Sequence, residues 1–377
     1  MQLSIWEKES FFAPSDYLII GSGLVGLWSA YWLKKKDTRS SVTVLERGLI
    51  PTGASTRNAG FACFGSITEI LEDARVMGLD KTLEVLDMRY RGINRIRKVF
   101  GKKAIDLDYT GGYDLLTGIE LERQPDLREQ MHWLNSEIEK ITGEKKVFSF
   151  ADEKLEGFGL TGFSRMIMNR AEGYLHSGKL SQCLLSLVQG MGVTVLNGID
   201  VEAMEPNADG YTLYAQDNIS FEGSKVLVCT NGFVNKLLPE LDVIPARGQV
   251  LLTTPIEDLS LYGTFHYDQG YYYFRNLGNR VLLGGARNKA FEEETTTEME
   301  TTNLVQGELE SFLEEHILKG REYSIASRWS GIMAMGSEKM PLLKQLNTNL
   351  FCAVRMSGMG VALAPVAGEI MAKKMMK

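Results

Sequence analysis

The sequence predicts an α/β fold, α+β overall: one domain on a central parallel sheet and a second on a mostly antiparallel sheet covered by helices. Three observations carry this expectation. Short β-branched runs alternate with helical patterns near the start of the chain; a tight glycine trio, "GSGLVG" at 21–26, separates the first strand pattern from the first helix pattern; and over 243–287 the texture changes to alternating runs broken by Gly and Asn.

The runs "DYLII" (16–20), "SVTVLE" (41–46), "GVTVLN" (192–197) and "KVLVCT" (225–230) are short and apolar, as expected of buried parallel strands. After the glycines, Leu24, Leu27, Trp28, Tyr31 and Trp32 recur at helical spacing and give one apolar stripe. Residues 67–100 and 119–142 read as two long amphipathic helices forming an inserted layer. The segments "VIPARGQVLLTTP", "GTFHYDQGYYYFR" and "NRVLLGGAR" read as antiparallel strands joined by turns, with Arg247 at a structural strand entry. The acidic run 292–302, "EEETTTEMETT", reads as a solvated loop leading into a helix, and 360–377 as a final helix whose cations complement its dipole.

Length and composition fit two ordinary globular domains: 377 residues, 44% hydrophobic and 24% charged. With a net charge of −7 and no Lys/Arg run longer than "KKK" at 34–36, nucleic acid has no basic footprint to bind. Cys63, Cys183, Cys229 and Cys352 stand far apart, so neither a metal site nor a disulfide framework is indicated, and a reducing cytoplasm fits. The first twenty residues lack the basic start of an export signal, and no stretch of eighteen apolar residues is present to span a membrane.

Gly21, Gly23 and Gly26 stand at the spacing of the dinucleotide-binding fingerprint of a Rossmann-type domain. The first permits a sharp turn, the second lets backbone approach a pyrophosphate, and the third lets helix and sheet pack closely. Ser22, Leu24 and Val25 complete the turn, whose helix start directs free N–H groups at the phosphates. Glu46 ends the second strand twenty residues past Gly26, where an acid accepts ribose hydroxyls. These features leave NAD and FAD undivided. The loop "PTGASTRNAGF" (51–61) favours FAD, because Ser55, Thr56 and nearby N–H groups add donors that a nicotinamide domain does not need.

Nine ordered motifs extend the pattern over nearly the whole chain: "IIGSGLVGL", "VTVLERG", "GASTRNAGF", "GYLHSGKL", "VLVCTNGF", "PARGQVL", "VLLGGAR", "RWSGIMAMGSEKMP" and "RMSGMGVALAP". With them the sequence resembles the FAD-dependent oxidoreductases of the D-amino-acid oxidase superfamily, which include glycine oxidase, sarcosine oxidase and gamma-glutamylputrescine oxidase. The last of these is the most similar branch.

The resemblance implies a discontinuous FAD-binding domain (1–80, 150–242, 325–377) and a substrate or cap domain (81–149, 243–324). It implies FAD with its pyrophosphate over Gly21–Gly26, its ribose at Glu46 and Arg47, and its adenine against the backbone of Val201. The loop Gly53, Ala54, Ser55, Thr56, Arg57, Asn58, Ala59, Gly60 and Phe61 would line the cofactor, Cys229, Thr230, Asn231 and Gly232 would close over it, and Arg355, Ser357, Gly358, Met359, Gly360 and Val361 would face the flavin pyrimidine. Arg57, Tyr271, Tyr273, Arg275, Met333 and Met359 are the expected substrate-side residues, with both tyrosines and Arg275 on one face of a strand.

The implied reaction is hydride transfer from a carbon bearing a neutral amine to flavin N5, followed by hydrolysis of the imine, on a small amine or amino-acid derivative. Oxygen or another electron acceptor would reoxidise the flavin. Several positions depart from the family. Met333 replaces the arginine that binds a substrate carboxylate, Gly331 the cysteine that attaches flavin, Leu282 a lysine that speeds reaction with oxygen, and Met359 a histidine. FAD is therefore expected to be non-covalent. Glycine or D-amino-acid oxidation is an alternative, weakened by Met333, and a flavin-holding or electron-transfer partner without a substrate is another.

Overall fold

The computed structural model of the protein describes residues 2–377, apart from the side chain at 217. Two compact units divide the chain: Met1–Thr56 with Ser177–Pro245 and Met333–Lys377, and Arg57–His176 with Ala246–Ile332. Residues 57–80, 150–176 and 325–332, expected in the cofactor domain, fall in the second unit, and 243–245, expected in the cap, fall in the first. The reason is strand pairing and helix packing. Phe61–Ala62 pairs with Gly173–Tyr174, Arg165–Asn169 joins the second sheet, and Ile67, Ile70 and Leu86 share one core.

The first unit holds a sheet in the order Leu342–Gln345, Leu350–Val354, Ile219–Val228, Ser15–Ile20, Val42–Glu46, Thr194–Asn197. The last five of these strands are parallel, and a smaller antiparallel extension, Val201–Pro206 and Tyr211–Ala215, continues from Ile219–Val228. All five residues of Val42–Glu46 are buried, which explains the near-continuous apolar run of a strand covered on both faces.

The helix Leu24–Lys36 is buried nearly all round rather than along one stripe, from Leu24 to Lys34 with only Val25 more open. Its second flank lies against the final helix Gly360–Met375, where Trp32 Nε1 donates to Pro365 O at 2.9 Å. A Cβ at Gly368 would come within 2.7 Å of the Ser29 nitrogen, so only glycine permits this approach. Lys34 tolerates burial because its ammonium donates to Thr38 O and Ser40 O. Full burial of Leu27 and Leu33 alone stabilises the packing by roughly 1.5–3 kcal/mol each.

In the second unit the sheet runs Ile325–Met335, Ile244–Thr253, Arg280–Gly285, Tyr272–Leu277, Thr264–Tyr267, Gly112–Leu116, Arg165–Asn169, Phe148–Phe150. From Ile244–Thr253 onward pairing is antiparallel except between Thr264–Tyr267 and Gly112–Leu116. One face carries Phe265, Phe274 and Leu283 into a core closed by Val305, Leu309 and Phe312 of the helix Asn303–Phe312. Phe265 and Phe274 stack with ring centroids 4.9 Å apart.

Both expected long helices are interrupted. Gly78, at φ 86°, ends Ile67–Met77 and begins Leu79–Phe100. Pro125 separates Gly118–Glu122 from Leu127–Thr142, because the residue before a proline disfavours the helical conformation. The acidic run 292–302 is not uniformly solvated. Glu294 has no exposed surface, and Arg247, itself 4% exposed, donates to it through Nε at 3.0 Å and Nη2 at 2.8 Å. Arg247 is thus structural, as the sequence indicates.

Candidate active site

The first strand of the parallel sheet ends in a turn that only glycine can make. Gly21 sits at φ 106°, and a Cβ there would lie 2.9 Å from Cys229 O; a Cβ at Gly26 would collide with Gly21 O. Glu46 Oε2 accepts from Ser22 N at 3.0 Å and from Ser22 Oγ at 2.8 Å, while Oε1 accepts from Gly48 N at 3.0 Å. The acid therefore braces the turn as well as ending its strand. Ser55 Oγ accepts from Leu24 N at 2.9 Å, and Gly23 faces that hydroxyl, so the small-residue loop 53–56 abuts the helix start.

Among the polar atoms of this unit buried without a hydrogen-bond partner among the described residues are Thr230 Oγ1, Asn231 Oδ1 and Ser357 Oγ. Buried hydroxyl and amide oxygens are ordinarily paired, so these mark positions for a polar ligand. Cys229 lends its backbone N–H to Ile20 O at 2.8 Å, and burial pushes its thiol well above the usual range. Gly232 is buried in the turn beyond it, and Arg47 lies 3.8 Å over the ring of Phe233. Val201 opens its strand, buried and paired with Ala215.

Arg355, Ser357 and Gly358 all take positive φ before the final helix, whose first N–H groups at Gly360 and Val361 have no intrahelical partner. The Arg355 guanidinium is already committed: Nη1 meets Asp242 Oδ2 at 2.6 Å, Nη2 lies 3.7 Å from Glu338 and Nε donates to Met340 O. Met359 is buried, and Met333 Sδ stands 3.4 Å from where a Gly358 Cβ would be.

In the second unit Ala59, Phe61, Val250, Leu252, Tyr273, Leu282 and Trp329 form an apolar wall on the sheet face opposite Phe274. Arg57 Nη1 donates to Ser330 O at 3.0 Å, and Trp329 Nε1 donates to Arg57 O at 3.2 Å. Asn58 Oδ1 accepts from Gly60 N at 2.8 Å, and Gly60, at φ 74°, packs directly on Leu175 O. Arg275 is 3% exposed. Its Nη1 donates to Gly60 O and Leu175 O, its Cζ lies 4.4 Å over the Tyr174 ring, and burial pushes it down to about 10.

Tyr271 does not share the face of Tyr273 and Arg275. The strand begins at Tyr272, after a turn with positive φ at Asp268, Gln269 and Gly270, and Tyr271 packs edge-on to Phe291 beside the Phe274 core. Tyr273 lies over Gly284, where a Cβ would come within 2.5 Å of its ring, and burial pushes its phenol up to about 12.

The same face holds a polar cluster that the sequence did not signal as a unit. His266 Nε2 meets Glu172 Oε1 at 2.6 Å, with both side chains buried. Glu172 also accepts from Thr264 Oγ1 and from the N–H groups of Phe64 and Gly65, and Cys63 lies beside the pair. Burial alone would lower the imidazole, but the Glu172 charge and hydrogen bond outweigh it and hold it above its usual value. Burial likewise opposes ionisation of Glu172, and His266 with the other donors holds its carboxyl below the usual range. Both shifts favour the imidazolium and the carboxylate within the pair.

A glycine turn of the dinucleotide-binding kind, buried polar atoms left unpaired in the same unit, and a second unit built on a mostly antiparallel sheet describe a two-unit dinucleotide-binding protein. The chain belongs to the DAO family of FAD-dependent oxidoreductases, whose model matches residues 16–374. It is 26% identical to a gamma-glutamylputrescine oxidoreductase of Escherichia coli over 373 residues, 95% of this chain and 83% of that one. A probable oxidoreductase of Haemophilus influenzae is 24% identical over 95% of this chain and 82% of its own. Among solved structures, glycine oxidase from Geobacillus kaustophilus superposes with a TM-score of 0.76 at 19% identity, covering 96% of this chain and 95% of that one. L-proline dehydrogenase from P. horikoshii gives 0.76 at 18% identity, covering 96% and 92%. The family implies FAD, and the unpaired Thr230, Asn231 and Ser357 atoms beside a turn with no room for side chains fit such a group. Among the described residues no helix is long and apolar enough to cross a membrane.

Proposed function

We propose that the protein oxidises a C–N bond of a small amine or amino-acid derivative. Bound FAD would supply the two-electron acceptor. Gly21–Gly26 would receive its pyrophosphate, Glu46 its ribose, and Thr230, Asn231 and Ser357 would give their unpaired oxygens to it. The N–H groups opening the final helix would favour negative charge at the ring. The remaining loop positions, Gly53–Phe61, are proposed to line the cofactor, and Val201 to flank the adenine.

The observation that carries the substrate class is the apolar wall of Phe61, Leu282, Tyr273 and Trp329 with Arg57 at its edge. Such a wall excludes water and holds an amine in its neutral form, the form that can give up its α-hydrogen with its bonding electrons. No side-chain base is required for that step. The likeness to gamma-glutamylputrescine oxidoreductase supports the terminal amine of a larger derivative over a simple α-amino acid, as does Met333 in place of an anchoring arginine. Reoxidation by oxygen or by another acceptor is compatible with Leu282 on the wall.

The test is anaerobic mixing of the FAD-loaded protein with sarcosine, glycine, D-amino acids and glutamylated polyamines. At least one should bleach the flavin band. Bleaching by none of them, with reduction by NADH, would remove the proposal. We also propose that FAD is held without a covalent bond, so acid precipitation should leave a colourless pellet.

A further inference from the structure

Arg275 stands apart from the other buried arginines of the second unit. Arg89 meets Glu69 and Arg247 meets Glu294, whereas Arg275, only 3% exposed, has no carboxylate within ion-pair reach among the described residues. Its Nε is buried without a hydrogen-bond partner, and its Nη1 donates to Gly60 O at 3.4 Å and to Leu175 O at 3.3 Å. The Tyr174 ring covers the guanidinium at 4.4 Å from Cζ. A cation kept from water with no counter-charge is costly, and a neutral side chain of similar length would avoid that cost. What the charge gains in return is a pair of charge-assisted hydrogen bonds to carbonyls of two separate segments.

The first of those carbonyls belongs to a residue set between two members of the apolar wall, Ala59 and Phe61. Gly60 takes φ 74°, and a Cβ there would come within 2.4 Å of Leu175 O. Its N–H donates to Asn58 Oδ1 at 2.8 Å, and its carbonyl accepts from Leu175 N at 2.8 Å as well as from Arg275. Phe61 then pairs with Tyr174 and sets its ring edge-on to His266 at 5.2 Å and to Tyr273 at 6.0 Å. On the sheet Arg275 stands opposite Leu282, and Tyr273 lies two residues back on the same face. One guanidinium therefore ties residues 59–61 to the strands that carry Tyr273 and Leu282, the other side of the same wall.

We propose that Arg275 is a positioning residue and not a substrate ligand: it clamps Gly60 and so sets where Ala59 and Phe61 stand on the wall that receives the substrate. This rests on the reading of that wall given above. It gives Arg275, which the sequence places among the substrate-side residues, a role one step removed from the substrate.

One arm of the test needs no substrate. FAD-loaded protein carrying para-fluorophenylalanine at position 61 is followed by fluorine NMR. Wild type should give one sharp resonance from the label. Arg275→Met should broaden or split it, and Arg275→Lys, whose ammonium can donate to the same carbonyls, should restore it. The other arm is anaerobic flavin reduction by whichever of the amines named above bleaches the flavin. Arg275→Met should lower the limiting rate roughly 10- to 100-fold while the half-saturating concentration stays within about threefold, and Arg275→Lys should recover most of the rate. An unaltered resonance in Arg275→Met, or a raised half-saturating concentration with the limiting rate kept, would overturn the proposal and leave amine oxidation intact. If Arg275→Met does not fold, Arg275→Gln takes its place, and equal spectra of the glutamine and lysine variants would overturn the proposal. A resonance that follows the expected pattern with no amine oxidised would leave the clamp standing and remove the reaction.

Discussion

Glu172 and His266 approach within 2.6 Å in a setting that gives water almost no access to either, joined by Thr264 and two backbone N–H groups. Asp114 faces His266 across the parallel strand pair, its own carboxyl raised to about 6, mainly by burial. Cys63, Glu69 and Arg89 complete the surroundings.

The pair sets a pH window. His266 is raised above its ordinary 6.5, so its contribution is full below 6.5 and is lost as pH rises through its folded value. Glu172 is depressed below 4.5, so its contribution is full above 4.5 and is lost as pH falls through its folded value. The pair therefore stabilises fully between about pH 4.5 and 6.5. Glu172→Gln should cost about 3–5 kcal/mol there by leaving an unpaired buried cation. Thermal midpoints of both proteins across pH check this, and parallel profiles above pH 6.5 would contradict it.

Gly26→Ala places a methyl group against Gly21 O and 3.2 Å from Ile19 Cγ2. The expected outcome is protein that purifies with little or no flavin. Glu46→Gln is milder: it keeps the shape but loses the charge that accepts from Ser22 and Gly48, at roughly 1–2 kcal/mol. Flavin-to-protein ratios after dialysis measure both, and full retention by Gly26→Ala would contradict the geometry.

Arg247→Met leaves Glu294 charged and buried, and should destabilise by about 3–5 kcal/mol. The double variant Arg247→Met with Glu294→Met should recover most of that loss, since Gln249 keeps its bond to Thr302. Urea unfolding of the four proteins gives the coupling energy, and simple additivity of the two losses would exclude a tight pair.

The features legible in the sequence were those whose cause is local. Gly21, Gly26 and Glu46 belong to one strand–turn–helix unit, and their spacing is fixed by that unit alone. Leu24–Lys36 was recognisable as a helix, but not as one wrapped on every side, because its cover comes from Gly360–Met375. Tyr271 was misplaced by one turn: three consecutive positive φ values at 268–270 delay the strand to Tyr272, and strand alternation cannot register that delay. Glu172 and His266 are 94 residues apart, and Arg247 and Glu294 are 47 apart. Charged residues in acidic or turn-rich stretches read as solvated until their distant partners are in view.

The contact between Trp32 and the carbonyl of Pro365 spans 333 positions of the chain. At ~5–20 residues per second of synthesis, roughly 17 to 67 s separate the two partners on the ribosome. Throughout that interval the tryptophan-bearing helix lacks its cover, and its apolar surface is a target for chaperones and for misassembly. Completion of the parallel-sheet unit is therefore tied to a segment made long after its first strand. Cofactor capture should follow synthesis of Gly360–Met375 rather than precede it.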